Sequence, residues 1–152
     1  MKLEFNKVEY VISKTAKELV QKSRVIIAAT TSHNPLFEVE PENIKGKTFI
    51  SIGSYRPDMQ EFPDTVIESA DDVFVDTLFA IEESGDIANP LKKKADMRKK
   101  IIEFSSLFAR NTYREGRTVF FKSVGMGLFD LAASSAIYHM ALEKKIGQII
   151  DL

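Results

Sequence analysis

The sequence has 152 residues, 44% of them apolar and 28% charged, and its 21 Lys and Arg against 22 Asp and Glu leave a formal net charge of −1. That length fits a single domain over residues 1–152, able to bury roughly 70% of its unfolded surface without metal or disulfides, and the near-neutral charge gives no electrostatic reason to expect a nucleic-acid or acidic-membrane partner. The absence of cysteine excludes a disulfide scaffold, a cysteine nucleophile and a thiolate zinc site, and with His33 and His139 as the only histidines an all-protein zinc site is not expected.

Residues 8–12 and 24–30 are short β-branched runs and read as strands. Between them residues 14–22 favour helix, with Ser13 as N-cap and Leu19 and Val20 facing a sheet. A third strand is expected over 48–52, ending in Gly53. A turn at 55–57 and a short helix near 64–70 lead to a fourth strand, 73–75, closed by Asp76. Residues 77–84 read as a short helix with Gly85 as its left-handed C-cap. Pro90 then opens a basic stretch, and Met97, Ile101, Phe104 and Phe108 recur at helical spacing, predicting an amphipathic helix of about five turns. A fifth strand is expected over 118–122. Leu128, Leu131, Ser135, Tyr138 and Leu142 line one face of a long C-terminal helix ended by Gly147. Strands alternating with helices indicate an α/β domain with a mainly parallel sheet, and the run 25–29 is apolar on both faces, as a sheet covered on both sides requires. No apolar run approaches the roughly 20 residues of a membrane span, and residues 1–10 hold no signal-peptide core, so the expected location is cytoplasmic.

Three stretches could carry chemistry. Ala29, Thr30, Thr31 and Ser32 follow a buried strand, and in open α/β sheets ligands bind beyond the carboxyl ends of the strands. Their hydroxyls equally suit a turn that satisfies its own backbone before Pro35. Ile52 and Gly53 open the second stretch, where Gly53 would let the backbone approach a ligand and Arg56 could clamp a carboxylate through its bidentate fork. The alternative there is a turn at Pro57 and Asp58 with a surface ion pair between Arg56 and Glu61. In the third, Lys122, Ser123, Val124 and Gly125 join a strand to the long helix, where free amides could meet an anion, although tight strand-to-helix packing explains the glycines as well. The dinucleotide fingerprint Gly-x-Gly-x-x-Gly after a first strand is absent. His33 reads as solvated in a turn, His139 as a packing or surface residue, and Lys92 to Lys100 as the wet face of a helix.

Together, VIIAATTSHNPLF, TFISIGSYRPDMQEF, VFVDT, ESGDI and FFKSVGMGLFDLAASSAIYHMAL resemble the ornithine cyclodeaminase and mu-crystallin family, in family order and over nearly the whole chain from about residue 8. The resemblance implies a Rossmann-like fold with flanking helices and a long C-terminal helix. It also implies a nicotinamide cofactor, NAD or NADP, and hydride transfer to or from the α-carbon of a small amino or imino acid. Carried over by position, Ala29, Thr30, Thr31 and Ser32 would line the ribose and nicotinamide side. Ile52 and Gly53 would flank the nicotinamide, and Lys122, Ser123, Val124 and Gly125 would close over it. Ornithine cyclodeaminases resemble Gly-Gly/Ser-Asp-x-Pro at the second stretch, with the aspartate as acid/base. Tyr55 stands there in this sequence, which looks more like the ketimine-reductase side of the family and places Arg56 near the substrate.

The family chain is about twice as long, and this one resembles it from near the third strand of the nucleotide-binding domain. The sheet is therefore expected to be incomplete, without the Gly-rich phosphate loop, the acid that grips the adenosine ribose, or the N-terminal substrate domain with its arginine and lysine. In the strand order 3-2-1-4-5-6 two strands are missing between 8–12 and 24–30. Either those runs pair directly or a partner fills the gap, and an unfilled gap leaves 24–30 as an apolar edge. The chain alone is expected to be inactive and to bind NAD(P)H weakly or not at all. It would act as a dimer, a higher oligomer or one half of a split enzyme whose N-terminal half lies on another chain. The alternative is a truncated, non-catalytic module kept for oligomerisation or partner binding.

Overall fold

The computed structural model describes residues 8–107, 115–148 and 150. The first helix, α1 (Ala16–Lys22), is capped by Thr15, whose side chain accepts from the Glu18 amide, while Glu18 pairs with Lys22 at 2.8 Å. Thr15 rather than Ser13 is the cap, and Glu18 Oε2 in turn accepts from the Lys14 amide at 3.0 Å, one residue before it. Val20 is buried and Leu19 is 40% exposed, so only one of the two expected core residues packs inward.

Strands β1 (Val25–Ala28), β2 (Thr48–Ser51), β3 (Asp72–Val75), β4 (Ile101–Glu103) and β5 (Val119–Lys122) form one sheet in the order β1-β2-β5-β3-β4. Every pairing is parallel, with Ile26, Phe49, Phe120 and Val73 in one row and Ala28, Ser51, Lys122 and Val75 in the next. Helices α2 (Asp64–Ser69), α3 (Ala80–Glu83) and α4 (Gly85–Lys93) follow strands, as the connections of a parallel sheet require. The Rossmann-like class expected from the sequence is what the chain adopts.

The core lies on one face of the sheet. Phe62 sits at its centre, meeting Phe37, Phe49 and Phe120 edge to face at 5.8, 5.6 and 5.8 Å. Such ring pairs add about 0.5–1.5 kcal/mol each beyond their burial. Val20, Val66, Ile67 and Ile87 bring α1, α2 and α4 onto the same cluster. On the opposite face Val25 and Ile27 are 54% and 61% exposed. The expectation of cover on both sides is therefore corrected: β1 alternates exposed and buried residues.

Residues 8–12 form no strand, and Tyr10, Val11 and Ile12 are exposed. β-branched composition is satisfied only when a neighbour supplies the ladder, and among the described residues β2 alone borders β1. Among the described residues β1 is thus a sheet edge.

The five-turn helix is also corrected. Residues Ala95–Lys100 form a 3-10 segment and Ile101–Glu103 form β4, which pairs with β3 through Ile101 opposite Val73. A short apolar run reads as helix or strand from its spacing alone, and the open edge of β3 decides it. Met97 joins the core and Phe104 packs on Phe121 at 5.2 Å, while Phe108 lies outside the described residues. The lysines of this stretch are less free than a wet face implies. Lys93 pairs with Asp64, Lys94 with Glu68, and Lys100 donates to the Glu68 and Ala70 carbonyls at the end of α2.

Gly85 begins α4 instead of closing a helix in a left-handed conformation, and Pro90 lies inside α4. A Cβ at Gly85 would stand 2.2 Å from the Met59 carbonyl oxygen, so close backbone packing explains this glycine.

The last helix, α5 (Gly127–Lys144), is about 27 Å long and has no buried residue. It ends at Lys145, which takes the left-handed conformation, with Gly147 beyond it. The expected stripe of Leu128, Leu131, Tyr138 and Leu142 is exposed, and so are Phe129, Ile137 and Met140 outside that stripe. So many large apolar side chains on one helix are ordinarily covered by a packing partner. No helix among the described residues is long and apolar enough to cross a membrane.

Candidate functional site

The three stretches singled out in the sequence meet at the carboxyl edge of the sheet, beyond β1, β2 and β5. What joins the first two is Glu61. Its Oε1 accepts from the amide and hydroxyl of Thr30, and its Oε2 accepts from the Ser51 hydroxyl (2.9 Å) and the Gly53 amide (2.8 Å). Glu61 is fully buried, whereas Arg56 is exposed and lies 3.4 Å from Asp58. The surface pair of Arg56 with Glu61 is therefore absent. Burial alone would push the Glu61 carboxyl up, but the bonds from Thr30, Ser51 and Gly53 outweigh it and hold the group below its ordinary value.

Close backbone packing gives Gly53 a structural reason of its own. An ideal Cβ at this position falls 1.8 Å from the Thr30 carbonyl oxygen. The two strand ends touch backbone to backbone, and the Thr30 and Gly53 segments form one shelf. Ala29, Thr30 and Thr31 are exposed on it, and Ile52 is 49% exposed. The turn reading of the first stretch also holds in part, because the Ser32 hydroxyl donates to the Asn34 carbonyl at 2.6 Å.

Beneath the shelf lies a buried polar cluster. Asp86 Oδ1 accepts from the amides of Glu61 (2.8 Å) and Phe62 (2.9 Å), and Asp86 Oδ2 lies 2.6 Å from the Ser51 hydroxyl. Lys122 Nζ donates to the same hydroxyl at 2.9 Å. Ser51 has one proton to give and two carboxylates within reach, so one contact is made with a proton carried by a carboxyl. Burial pushes the Asp86 carboxyl up, despite its bonds from Ser51 and two amides, in the direction of holding that proton. Burial likewise lowers the Lys122 ammonium to about 8, against the opposing pull of the Asp86, Glu61 and Asp76 charges.

The third stretch is closed by Asp76, whose Oδ2 accepts from the Ser123 hydroxyl and the amides of Val124 (2.9 Å) and Gly125 (3.0 Å). The anion at this turn is the chain's own carboxylate, which corrects the reading of free amides there. Lys122 is fully buried, so it presents no surface to the shelf region. The described residues hold no group of three or more His, Asp or Glu suited to a metal. A cavity of about 470 Å³ between α1 and residues 36–43 contains none of the shelf residues.

Glu61, Asp86 and Asp76 escaped the sequence reading as site-building residues. The available signal for Glu61 was its place between Met59 and Phe62, both of which are buried. Of the histidines, His33 is exposed beside Asp58, and His139 bonds the Ser135 carbonyl along α5.

The chain is similar to known proteins in sequence and in fold. A family model described as the ornithine cyclodeaminase/mu-crystallin family matches residues 2–145. The chain is 30% identical over 152 residues to a Delta(1)-pyrroline-2-carboxylate reductase of Bacillus cereus, an alignment covering 97% of this chain and 46% of that protein. It is 33% identical over 131 residues to the ketimine reductase mu-crystallin of Rattus norvegicus, covering 84% of this chain and 39% of the relative. Among solved structures, Thermococcus litoralis Delta(1)-pyrroline-2-carboxylate reductase in complex with NADH and L-proline superposes with a TM-score of 0.76 at 28% identity, over 91% of this chain and 44% of that one. The chain therefore spans just under half the length of the curated relatives it matches.

Proposed function

Because this chain belongs to the ornithine cyclodeaminase/mu-crystallin family, we propose that its strand-end shelf takes the nicotinamide end of NAD(H) or NADP(H). It would serve an oxidoreductase that transfers hydride to or from a small amino or imino acid. The observation that carries this reading is the convergence of the Thr30, Gly53 and Val124 segments at the carboxyl edge of a parallel sheet, where such ligands lie. The residues fit one end of the cofactor only. Exposed Ile52 and the backbone around Thr30 and Gly53 suit a flat ring and its ribose, whereas the Val124 and Gly125 amides that could have met a phosphate are taken by Asp76. When bound, the cofactor supplies the hydride. Ala29, Thr30, Thr31, Ser32, Ile52, Gly53, Ser123, Val124 and Gly125 would position it, with Lys122 supporting them from beneath, and Arg56 would reach toward a substrate carboxylate.

The reading includes a partner surface. The exposed apolar residues of α5 and the exposed face of β1 suit the portion of the relatives' length that this chain does not cover. A second reading, a non-catalytic module associating with copies of itself, is favoured by the same exposed α5.

Two results are expected from the 152-residue chain on its own. Light scattering at micromolar concentration gives an assembly larger than a monomer, and a monodisperse monomer contradicts the partner surface. Titration calorimetry with NADH and with NADPH gives dissociation constants weaker than micromolar, because the Val124 and Gly125 amides are held by Asp76. Sub-micromolar binding overturns the half-site reading.

A further inference from the structure

The cluster under the shelf holds a lysine, a serine and two acids, all fully or nearly fully buried. Bare burial of this many charges costs several kcal/mol per ion, so as mere stabilisation the arrangement is poor. Its connectivity is informative. Lys122 comes from the end of β5, Ser51 from the end of β2, Asp86 from the first turn of α4, and Glu61 from the segment before α2. Lys122 Nζ reaches Ser51 Oγ at 2.9 Å, Ser51 Oγ reaches Glu61 Oε2 at 2.9 Å, and Glu61 holds the amides of Thr30 and Gly53. Lys122 itself touches neither of those amides.

We propose that Lys122 is a positioning residue whose buried ammonium, acting through Ser51 and Glu61, fixes the backbone of Thr30 and Gly53 and so sets the geometry of the shelf. That this shelf is a cofactor surface rests on the function proposed above; the coupling itself does not need the cofactor. The titratable groups that face Lys122 are Asp86 from α4, Glu61 from the segment after β2 and Asp76 from the end of β3. Loss of the ammonium proton removes the one positive charge among them. Glu61 then carries its negative charge with less opposition from Ser51's side, and its hold on the two amides changes.

The test is a pH titration of the full chain without cofactor, labelled for NMR. In the wild type, the Lys122 ε-carbon and the amide nitrogens of Thr30 and Gly53 are expected to shift with one shared midpoint near 8. In Ser51→Ala the Lys122 carbon still titrates, while the Thr30 and Gly53 response at that midpoint is lost. In Lys122→Met the response is lost without touching Ser51. Thr30 and Gly53 amides that stay flat while Lys122 titrates overturn the proposal, as does a response that survives intact in Ser51→Ala, which would mean simple through-space sensing. Addition of NADH to the wild type forms a separate arm. Saturable NADH-dependent shifts that appear elsewhere and spare Thr30 and Gly53 count against the cofactor reading and leave the result on Lys122 standing.

Discussion

Replacing Gly53 with alanine is expected to be the most damaging small change in the chain. The new methyl carbon would stand 1.8 Å from the Thr30 carbonyl oxygen, 2.5 Å from its amide nitrogen and 2.6 Å from Glu61 Oε1. Two of the three obstacles are backbone atoms of a strand end locked in the sheet, since the Ile52 amide bonds the Ala28 carbonyl at 2.9 Å. Overpacking of this kind costs about 1–3 kcal/mol where side chains can give way, and here the backbone must move, so about 3 kcal/mol or more is expected. The measurement is urea unfolding followed by circular dichroism. The midpoint should fall sharply, and NADH binding to any assembled form should be lost with it. Gly127→Ala is the matched control: nothing lies within 4 Å of its added carbon, and the change should stay within about 0.5 kcal/mol.

Glu61→Gln is expected to be nearly as costly for a different reason. Glu61 is an acceptor at both oxygens, facing donors at Thr30, Ser51, Gly53 and Ser54. A glutamine places an NH₂ donor against one of these sets of donors. Each buried amide left without its acceptor costs about 1–3 kcal/mol, so a loss of about 3 kcal/mol is expected. The pH dependence has a definite sign. The folded carboxyl lies below its ordinary value of 4.5, so the unfolded chain binds its proton first as the solution is acidified. The stability that Glu61 adds is complete above about pH 4.5 and is lost as pH falls through the lower folded value. Chemical unfolding of wild type and variant between pH 3 and 7 should therefore show a gap that closes toward acid, and a gap constant across that range would contradict the assignment.

Much of the architecture was legible because its cause is local. The runs at Val25, Thr48, Val73 and Val119 are rich in β-branched and aromatic residues, and each became a parallel strand. The runs at Val8 and Ile101 show the limit. Both are β-branched, yet only Ile101 and Ile102 find an open strand beside them, at β3. Propensity cannot report where a free edge will be. The location of the shelf was legible through the motif resemblance and the rule for strand ends. The side chains beneath it were not, because charged residues are ordinarily solvated and their partners are remote in sequence. Ser51 and Lys122 meet across 71 positions, and Ser51 and Asp86 across 35. Glu61 next to Arg56 reads naturally as a surface ion pair until Thr30 and Gly53 are brought over it.

The reading of this chain as the nicotinamide half of an oxidoreductase is tested most directly by transplanting it. The chain would replace the segment it matches in the Bacillus cereus reductase, to which it aligns over 97% of its length, and the folded chimera would be assayed for oxidation of NADH or NADPH with a cyclic imino acid. The expected result is imine-dependent oxidation of the cofactor that disappears in the Gly53→Ala chimera. A correctly folded chimera that binds neither NADH nor NADPH would contradict the account.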